Sequence, residues 1–101
     1  MPVTIHAQQG HLTAVLSGEI DHHGAKSMLT TLEEAVATLL PKHLTLDLSG
    51  ITFMDSSGIA LLLRTHRQVT GYGGTLKVTH IPTQPRRVLD AAGVGRIIQL
   101  D

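Results

Sequence analysis

The sequence has no cysteine and no tryptophan, one phenylalanine, Phe53, and one tyrosine, Tyr72. Without thiols, the chain forms neither disulfides nor thiolate metal sites. One phenylalanine and one tyrosine among 101 residues argue against base stacking on aromatic side chains, the usual mode of binding single-stranded nucleic acid. The core must therefore be built mainly from leucine, isoleucine, valine and alanine.

The chain also lacks an excess of charge and a long apolar run. Eight basic residues balance eight acidic ones, so electrostatics gives no preference for nucleic acid or anionic lipid. No segment reaches the ~18 apolar residues of a membrane span, and the N-terminal residues lack the pattern of a signal peptide. We therefore expect a soluble cytoplasmic protein that binds neither nucleic acid nor membranes directly. Its length indicates a single domain, residues 1–101.

What is present is a regular alternation of strand and helix patterns. Strand-like runs at residues 3–7 and 12–17, separated by a glycine turn, predict a β-hairpin. Asp21 is a predicted N-cap of a helix whose apolar spacing runs from Ala25 to Leu39. The further predicted elements are a strand at 44–48, a helix ending near 71–74, a strand at 75–80, a helix from Pro82 to a C′ glycine at 93, and a strand at 97–98. The order β-β-α-β-α-β-α-β predicts an α/β domain with a mixed sheet of four to five strands.

A short polar turn, Asp55-Ser56-Ser57-Gly58, separates the central strand from the second helix. A serine hydroxyl at the N-cap or in the first turn satisfies an orphan backbone N–H, worth about 1 kcal/mol. Gly58 costs about 1 kcal/mol relative to alanine inside a helix, but it allows close approach to the backbone. A phosphoryl group on the serine would add nearly two negative charges at the positive end of the helix dipole. Such a modification changes the surface without unfolding the protein.

The helix after this turn has two faces on a helical projection. The face predicted to pack on the sheet comprises Ile59, Leu62, Leu63, His66 and Val69. The opposite face carries Ser57, Leu61, Arg64 and Gln68. Two interpretations of Leu61 stay open: an ordinary exposed leucine, or part of a partner-binding surface beside the serines.

Other chemistries find little support in the sequence. There is neither a G-x-S-x-G elbow nor a phosphate-binding P-loop, so we expect no enzymatic activity and no cofactor. His22 and His23 diverge at a helix start without a second ligand pair, so we expect no metal site. The arginine pairs at 64, 67 and at 86, 87 fit solvated helix faces better than a phosphate site.

Two motifs, GEID at residues 18–21 and FMDSSG at 53–58, resemble those of the bacterial anti-sigma factor antagonists, the STAS-domain family. The resemblance implies the STAS fold, with the helices mainly on one face of the sheet. It also implies that the dephosphorylated protein binds an anti-sigma factor that is itself a serine kinase, which frees a sigma factor. Phosphorylation then ends the binding, and a dedicated serine phosphatase resets the system.

The resemblance assigns roles to individual residues. The implied phosphoacceptor is Ser56, the serine directly after the aspartate. The motif positions that line the same surface are Asp21, Asp55, Ser57 and Gly58, and we expect Leu61 and Arg64 to share the partner-binding surface. On that expectation, Leu61→Asp abolishes binding and leaves the melting temperature nearly unchanged.

Two hypotheses remain. The first is the phosphorylation-switched antagonist; the second is a non-switching STAS subunit of a stress-signalling or lipid-transport complex. The intact turn with Ser56 favours the first, because a structural subunit needs no phosphoacceptor. Many family members carry a helix beyond the last strand, whereas this sequence stops at Asp101, which leaves any contact of that helix in doubt.

Overall fold

A computed structural model describes residues 2–101 as one mixed sheet with helices between its strands. The strands are β1 (Val3–Gln8), β2 (His11–Ile20), β3 (His43–Met54), β4 (Thr75–Thr79) and β5 (Gln99–Leu100). The helices are α1 (His22–Leu39), α2 (Ser56–Thr70), α3 (Thr83–Ala91) and a 3₁₀ turn at Val94–Arg96. None of the helices in the described part of the chain is long and apolar enough to cross a membrane.

The sheet has the spatial order β1-β2-β3-β4-β5. β1 is antiparallel to β2, whereas β2 to β5 are mutually parallel. Because each crossover advances by one strand in the same direction, right-handed connections place the helices on one face. The covered face carries buried rows of Leu12, Leu44 and Leu76, then Ala14, Leu46 and Val78. The predicted α/β fold with a mixed sheet is confirmed.

The helices fill the covered face with aliphatic side chains, as the scarcity of aromatics predicted. Their buried residues are Ala25, Met28, Leu32 and Val36 from α1, Gly58, Leu61, Leu62, Thr65 and Val69 from α2, and Pro85 and Leu89 from α3. Phe53 and Tyr72 both stay partly exposed, at 40% and 39%. The two rings therefore add little to the core.

The strands β2 and β3 are longer than their sequence patterns predicted. After a first register shift Gly18 pairs with Ile51, and after a second shift Ile20 pairs with Met54. Gly18 adopts a φ of +97°, a conformation that favours glycine, at the point where the pairing shifts. The break in alternation at these residues is therefore a shift in strand register rather than the end of a strand.

The last strand lies two residues beyond its predicted position. Gly93, with a φ of +69°, ends α3 as predicted, but a 3₁₀ turn then uses residues 94–96. Ile97 is consequently 57% exposed, and pairing with β4 begins only at Gln99. The prediction of a strand at 97–98 was wrong, because two adjacent isoleucines do not reveal the intervening turn.

The buried face of α2 is rotated towards α1 relative to the predicted face. Ile59, Leu63 and His66 are only half-buried, whereas Leu61 and Thr65 are fully buried. The rotation has a physical cause: α1 packs beside α2 on the same face of the sheet. The Gln68 Nε2 donates to the backbone oxygen of Glu33 in α1 at 3.1 Å, which joins the two helices at this point.

Candidate functional site at the start of the second helix

The turn between β3 and α2 is held by Asp55, which is the N-cap residue of α2. Its Oδ1 accepts a hydrogen bond from the Ser57 amide at 2.8 Å, and its backbone oxygen accepts from the Gly58 amide at 3.0 Å. Ser56 and Ser57 are the first two residues of the helix. Their predicted position in the first turn is confirmed, while the cap itself is the preceding aspartate.

A second N-cap lies beside the first. Asp21 caps α1, and its Oδ1 accepts from the Gly24 amide at 2.7 Å. Because β2 and β3 are parallel neighbours, the helices that follow them begin at the same edge of the sheet. The Asp55 amide donates to the Ile20 backbone oxygen at 3.2 Å and joins the two turns directly. The structure thus brings the two sequence motifs into one surface.

The two serines differ in exposure. Ser56 is exposed, and its hydroxyl forms no hydrogen bond with any residue between positions 2 and 101. Ser57 is half-buried and faces a groove between α1 and α2. Ser56 is therefore the hydroxyl that a second protein reaches more easily, on a surface that already carries the carboxylates of Asp21 and Asp55.

Gly58 is buried, which corrects its expected place on the partner surface. A β-carbon at this position would stand 2.7 Å from the Met54 Sδ, too close for an ordinary contact. The close approach that the glycine permits is thus made by the protein's own core, not by a partner.

Leu61 exposes 1% of its surface, so the interpretation of this residue as exposed is wrong. It lies beneath a groove of about 250 Å³ that starts at Ser57 and runs between α1 and α2. The groove is lined by the aliphatic side chains of Ala25, Leu29, Ala60 and Leu61, and by the basic side chains of His22, Lys26 and Arg64. Arg64 is on the surface as expected, with 61% of its side chain exposed and its Nη2 3.9 Å from the Glu33 Oε2.

Gln84 was not predicted to belong to this site. Its side chain reaches from α3 to the last residue of β3, where Nε2 donates to the Met54 backbone oxygen and Oε1 accepts from the Met54 amide, both at 2.8 Å. A glutamine beside Pro85 in the first turn of a short helix gives no sequence signal for such a contact. Only the packing of α3 on β3 creates it.

Within residues 2–101, no histidine ring is hydrogen-bonded to either serine of the turn. The histidine rings that form hydrogen bonds do so with Thr45, Thr75 and Thr79, not with Ser56 or Ser57. Between residues 2 and 101 no group of three or more histidine, aspartate or glutamate side chains is arranged to hold a metal ion. What the arrangement offers is an exposed hydroxyl at the capped start of a helix, beside two aspartate carboxylates.

Comparison with known proteins supports the same assignment of family. The family model described as "Mlab, STAS domain" matches residues 3–99. An anti-sigma F factor antagonist from Paenibacillus polymyxa is 29% identical over 100 residues, covering 99% of this chain and 86% of that protein. One from Lysinibacillus sphaericus is 32% identical over 81 residues, covering 79% and 68%.

The solved structure of the anti-sigma factor antagonist SpoIIAA in its unphosphorylated form has the same fold. It superposes with a TM-score of 0.82 at 21% identity, covering 98% of this chain and 87% of that one. The family model matches almost the whole sequence, and Asp21 and Asp55, one from each of the two sequence motifs, cap α1 and α2. The protein belongs to the STAS domain family.

Proposed function

We propose that this protein is an anti-sigma factor antagonist, and that phosphorylation of Ser56 ends its binding to the anti-sigma factor. The observation that carries the proposal is the exposed Ser56 hydroxyl at the first position of α2, directly after the capping Asp55. The curated relatives bear the name of this function. In this reaction the γ-phosphoryl group of ATP passes to the Ser56 Oγ, the hydroxyl proton is lost, and ADP leaves.

The proposed partner is an anti-sigma factor that is also a serine kinase, and a serine phosphatase removes the phosphate. The proposed contact surface comprises Asp21, Asp55, Ser56, Ser57 and Arg64. Gly58 and Leu61 support this surface from below, because both are buried. The function places the protein in the cytoplasm beside its partners and requires no catalysis or cofactor of its own.

Electrostatics explains how one phosphate ends the binding. The group adds about 1.5 to 2 negative charges at neutral pH, beside the carboxylates of Asp21 and Asp55. A partner surface that accommodates a neutral hydroxyl there meets like-charge repulsion and must desolvate the phosphate. Each 1.4 kcal/mol of this cost weakens binding about tenfold.

The fold tolerates the same phosphate. Ser56 lies at the N-terminus of an α-helix of 15 residues, where the helix dipole favours negative charge by about 0.3–1 kcal/mol. Ser56 is also exposed, so no packing is lost when the group is added. The modification therefore changes binding and leaves the structure in place.

A second candidate function is that of a non-switching subunit in a stress-signalling or lipid-transport complex. The family model that matches carries a description other than anti-sigma factor antagonist, which favours testing this alternative. Such a subunit binds its complex equally well with and without a hydroxyl at position 56, because it needs no phosphoacceptor.

The test is intact-mass spectrometry with peptide mapping after incubation with ATP and candidate anti-sigma factors from the host. We expect one added phosphate on the wild type and on Ser57→Ala, and none on Ser56→Ala. Binding of each form is measured by calorimetry with the same partner. Stable binding without any phosphate would favour the non-switching subunit, and neither binding nor phosphate with any candidate would contradict the proposal.

A further inference from the structure

We propose that Gln84 is a positioning residue for the phosphoacceptor turn: its side-chain amide replaces a missing neighbouring strand at the end of β3. The effect of Gln84 on phosphorylation rests on the proposed function, in which Ser56 is the phosphoacceptor. The stabilisation of the turn by Gln84 does not depend on that function. Gln84 touches neither Ser56 nor the reacting atoms, and it acts through Met54.

The need for a replacement strand comes from the unequal lengths of β3 and β4. β4 pairs with β3 only from His43 to Asp47, whereas β3 continues for seven further residues, to Met54. Within this extension the Asp47 carboxylate accepts from the Ser49 amide at 2.8 Å. Met54 is 1% exposed, and an unpaired backbone amide or carbonyl at such a buried position destabilises the fold, because it loses water without gaining a partner.

Gln84 satisfies both backbone groups of Met54 with one side chain. The two hydrogen bonds, each 2.8 Å long, reproduce the reciprocal pair that one residue of an antiparallel neighbouring strand would form. On the other side of β3, the next residue, Asp55, donates to Ile20 of β2 at 3.2 Å. The end of β3 is thus held from both sides immediately before α2 begins.

The glutamine itself is presented by a rigid segment. It lies between Pro82, the N-cap of α3, and Pro85 in the first helical turn, whose rings fix their φ angles. The Arg86 amide donates to the Pro82 oxygen at 2.9 Å and closes the turn around Gln84. Little additional backbone order is needed to place the amide group.

Gln84 affects the position of Ser56 through Met54 and Gly58, which contact each other on either side of the serine. Gln84 fixes the Met54 backbone, and the Met54 side chain packs on Gly58 in the first turn of α2. Ser56 lies between those two residues in the chain. Phosphoryl transfer requires close alignment of the acceptor hydroxyl, and a misplacement of about 1 Å can cost about 100-fold in rate. Loss of the contact should therefore slow phosphorylation without abolishing it.

The test compares Gln84→Ala and Gln84→Glu with the wild type. The glutamate retains an acceptor for the Met54 amide but replaces the donor to the Met54 oxygen with a negative charge. Gln99→Ala is the matched control, because Gln99 is exposed and its amide donates to the Asp101 side chain alone. Amide hydrogen exchange is followed by NMR, and kcat/KM for Ser56 phosphorylation is measured with the cognate kinase.

We expect amide exchange at Met54, Ser57 and Gly58 to accelerate at least tenfold in Gln84→Ala, and less at Met54 in Gln84→Glu, which keeps the acceptor for that amide. Exchange at Leu46 in the centre of β3 should stay unchanged. We expect kcat/KM to fall about tenfold, and Gln99→Ala to match the wild type. Unchanged exchange at Met54, or an equal acceleration at Leu46, would overturn the positioning role. Local acceleration with an unchanged kcat/KM would overturn its link to phosphorylation. If the wild type takes no phosphate, the proposed function fails, while the exchange data still decide whether Gln84 holds the turn.

Discussion

The Met54 side chain packs directly over Gly58, where its sulfur lies 2.7 Å from the position that a β-carbon would occupy. The last residue of β3 and the first turn of α2 are therefore in contact through a site that only glycine fits. Gly58 is fully buried by this contact, and Met54 exposes only 1% of its surface. The helix that presents Ser56 is thus anchored to the sheet within three residues of the serine.

Gly58→Ala should destabilise the protein, although alanine is the better helix former by about 1 kcal/mol. The added methyl group must displace Met54, and such overpacking typically costs about 1–3 kcal/mol. The free energy of unfolding is measured by urea denaturation. In the background of Met54→Ala the added methyl group finds space, so the same substitution should cost less or stabilise. Equal costs in both backgrounds would show that the two residues are not coupled.

Leu61→Ala should lower the free energy of unfolding by about 2–5 kcal/mol, because it removes a fully buried side chain between two helices. Leu61→Asp should cost more still, because it places a carboxylate in this buried position, contrary to the expectation that it leaves the melting temperature nearly unchanged. Leu39→Ala is the matched control, since Leu39 is exposed in α1 and its truncation should change stability far less. A Leu61→Ala variant as stable as the control would contradict the burial seen here.

Asp55 has two separable roles, a helix cap and a negative charge on the partner surface. Asp55→Ala should cost about 1 kcal/mol of stability, because the Ser57 amide loses its acceptor. Asp55→Asn should retain nearly all the stability, since asparagine caps as well as aspartate. Thermal unfolding measures the contribution of Asp55 to helix capping. Calorimetry with the anti-sigma factor measures the contribution of its negative charge to binding. An equal loss of stability in both variants would show that charge rather than capping holds the turn.

Arg64→Ala should weaken binding to the anti-sigma factor about tenfold or more, if this exposed side chain contacts the partner as proposed. Stability should change by no more than about 1 kcal/mol, since the ion pair with Glu33 is solvent-exposed. Arg67→Ala provides a control on the same helix, exposed and outside the groove beside Ser57. Equal affinity of the Arg64 variant and the wild type would remove Arg64 from the contact surface.

Tyr72 should titrate above the ordinary pKa of tyrosine, 10.0, because burial raises the pKa of its phenol. Its hydroxyl donates to the Pro41 oxygen at 2.7 Å, a bond that the phenolate cannot make. The contribution of this group to stability is fully present below pH 10.0 and is lost as the pH rises through the folded-state pKa. Because the chain has one tyrosine and no tryptophan, ultraviolet absorbance reports this titration alone. A midpoint at or below 10.0 would contradict the prediction.

Local signals in the sequence predicted the parts of the fold that depend on a few consecutive residues. The Asp21 cap, the glycine at 93 after α3 and the first-turn position of Ser56 follow from backbone groups that neighbouring side chains satisfy. The strand and helix order follows from apolar periodicity in the same way. These features require no knowledge of distant contacts.

The features that were missed or wrong depend on long-range packing. Leu61 was placed outside because a helical projection of α2 alone cannot show that α1 covers a second side of the helix. The strand extensions through Gly18 and Thr52 depend on pairing between β2 and β3, which tolerates polar residues and register shifts. Gln84 forms hydrogen bonds with Met54, 30 positions away, and the spacing of apolar residues in the sequence does not predict such a contact.

The capping of α2 by Asp55 has a consequence for how far a phosphate on Ser56 acts. Asp55 already accepts hydrogen bonds from the amides of Ser57 and Gly58, so the helix end has few donors left to draw the phosphate inwards. The phosphate then extends into water, and its field decays over a Debye length of about 8 Å at physiological ionic strength. The affinity difference between the two forms of the protein should therefore narrow as salt is added, which makes the switch most decisive in dilute electrolyte.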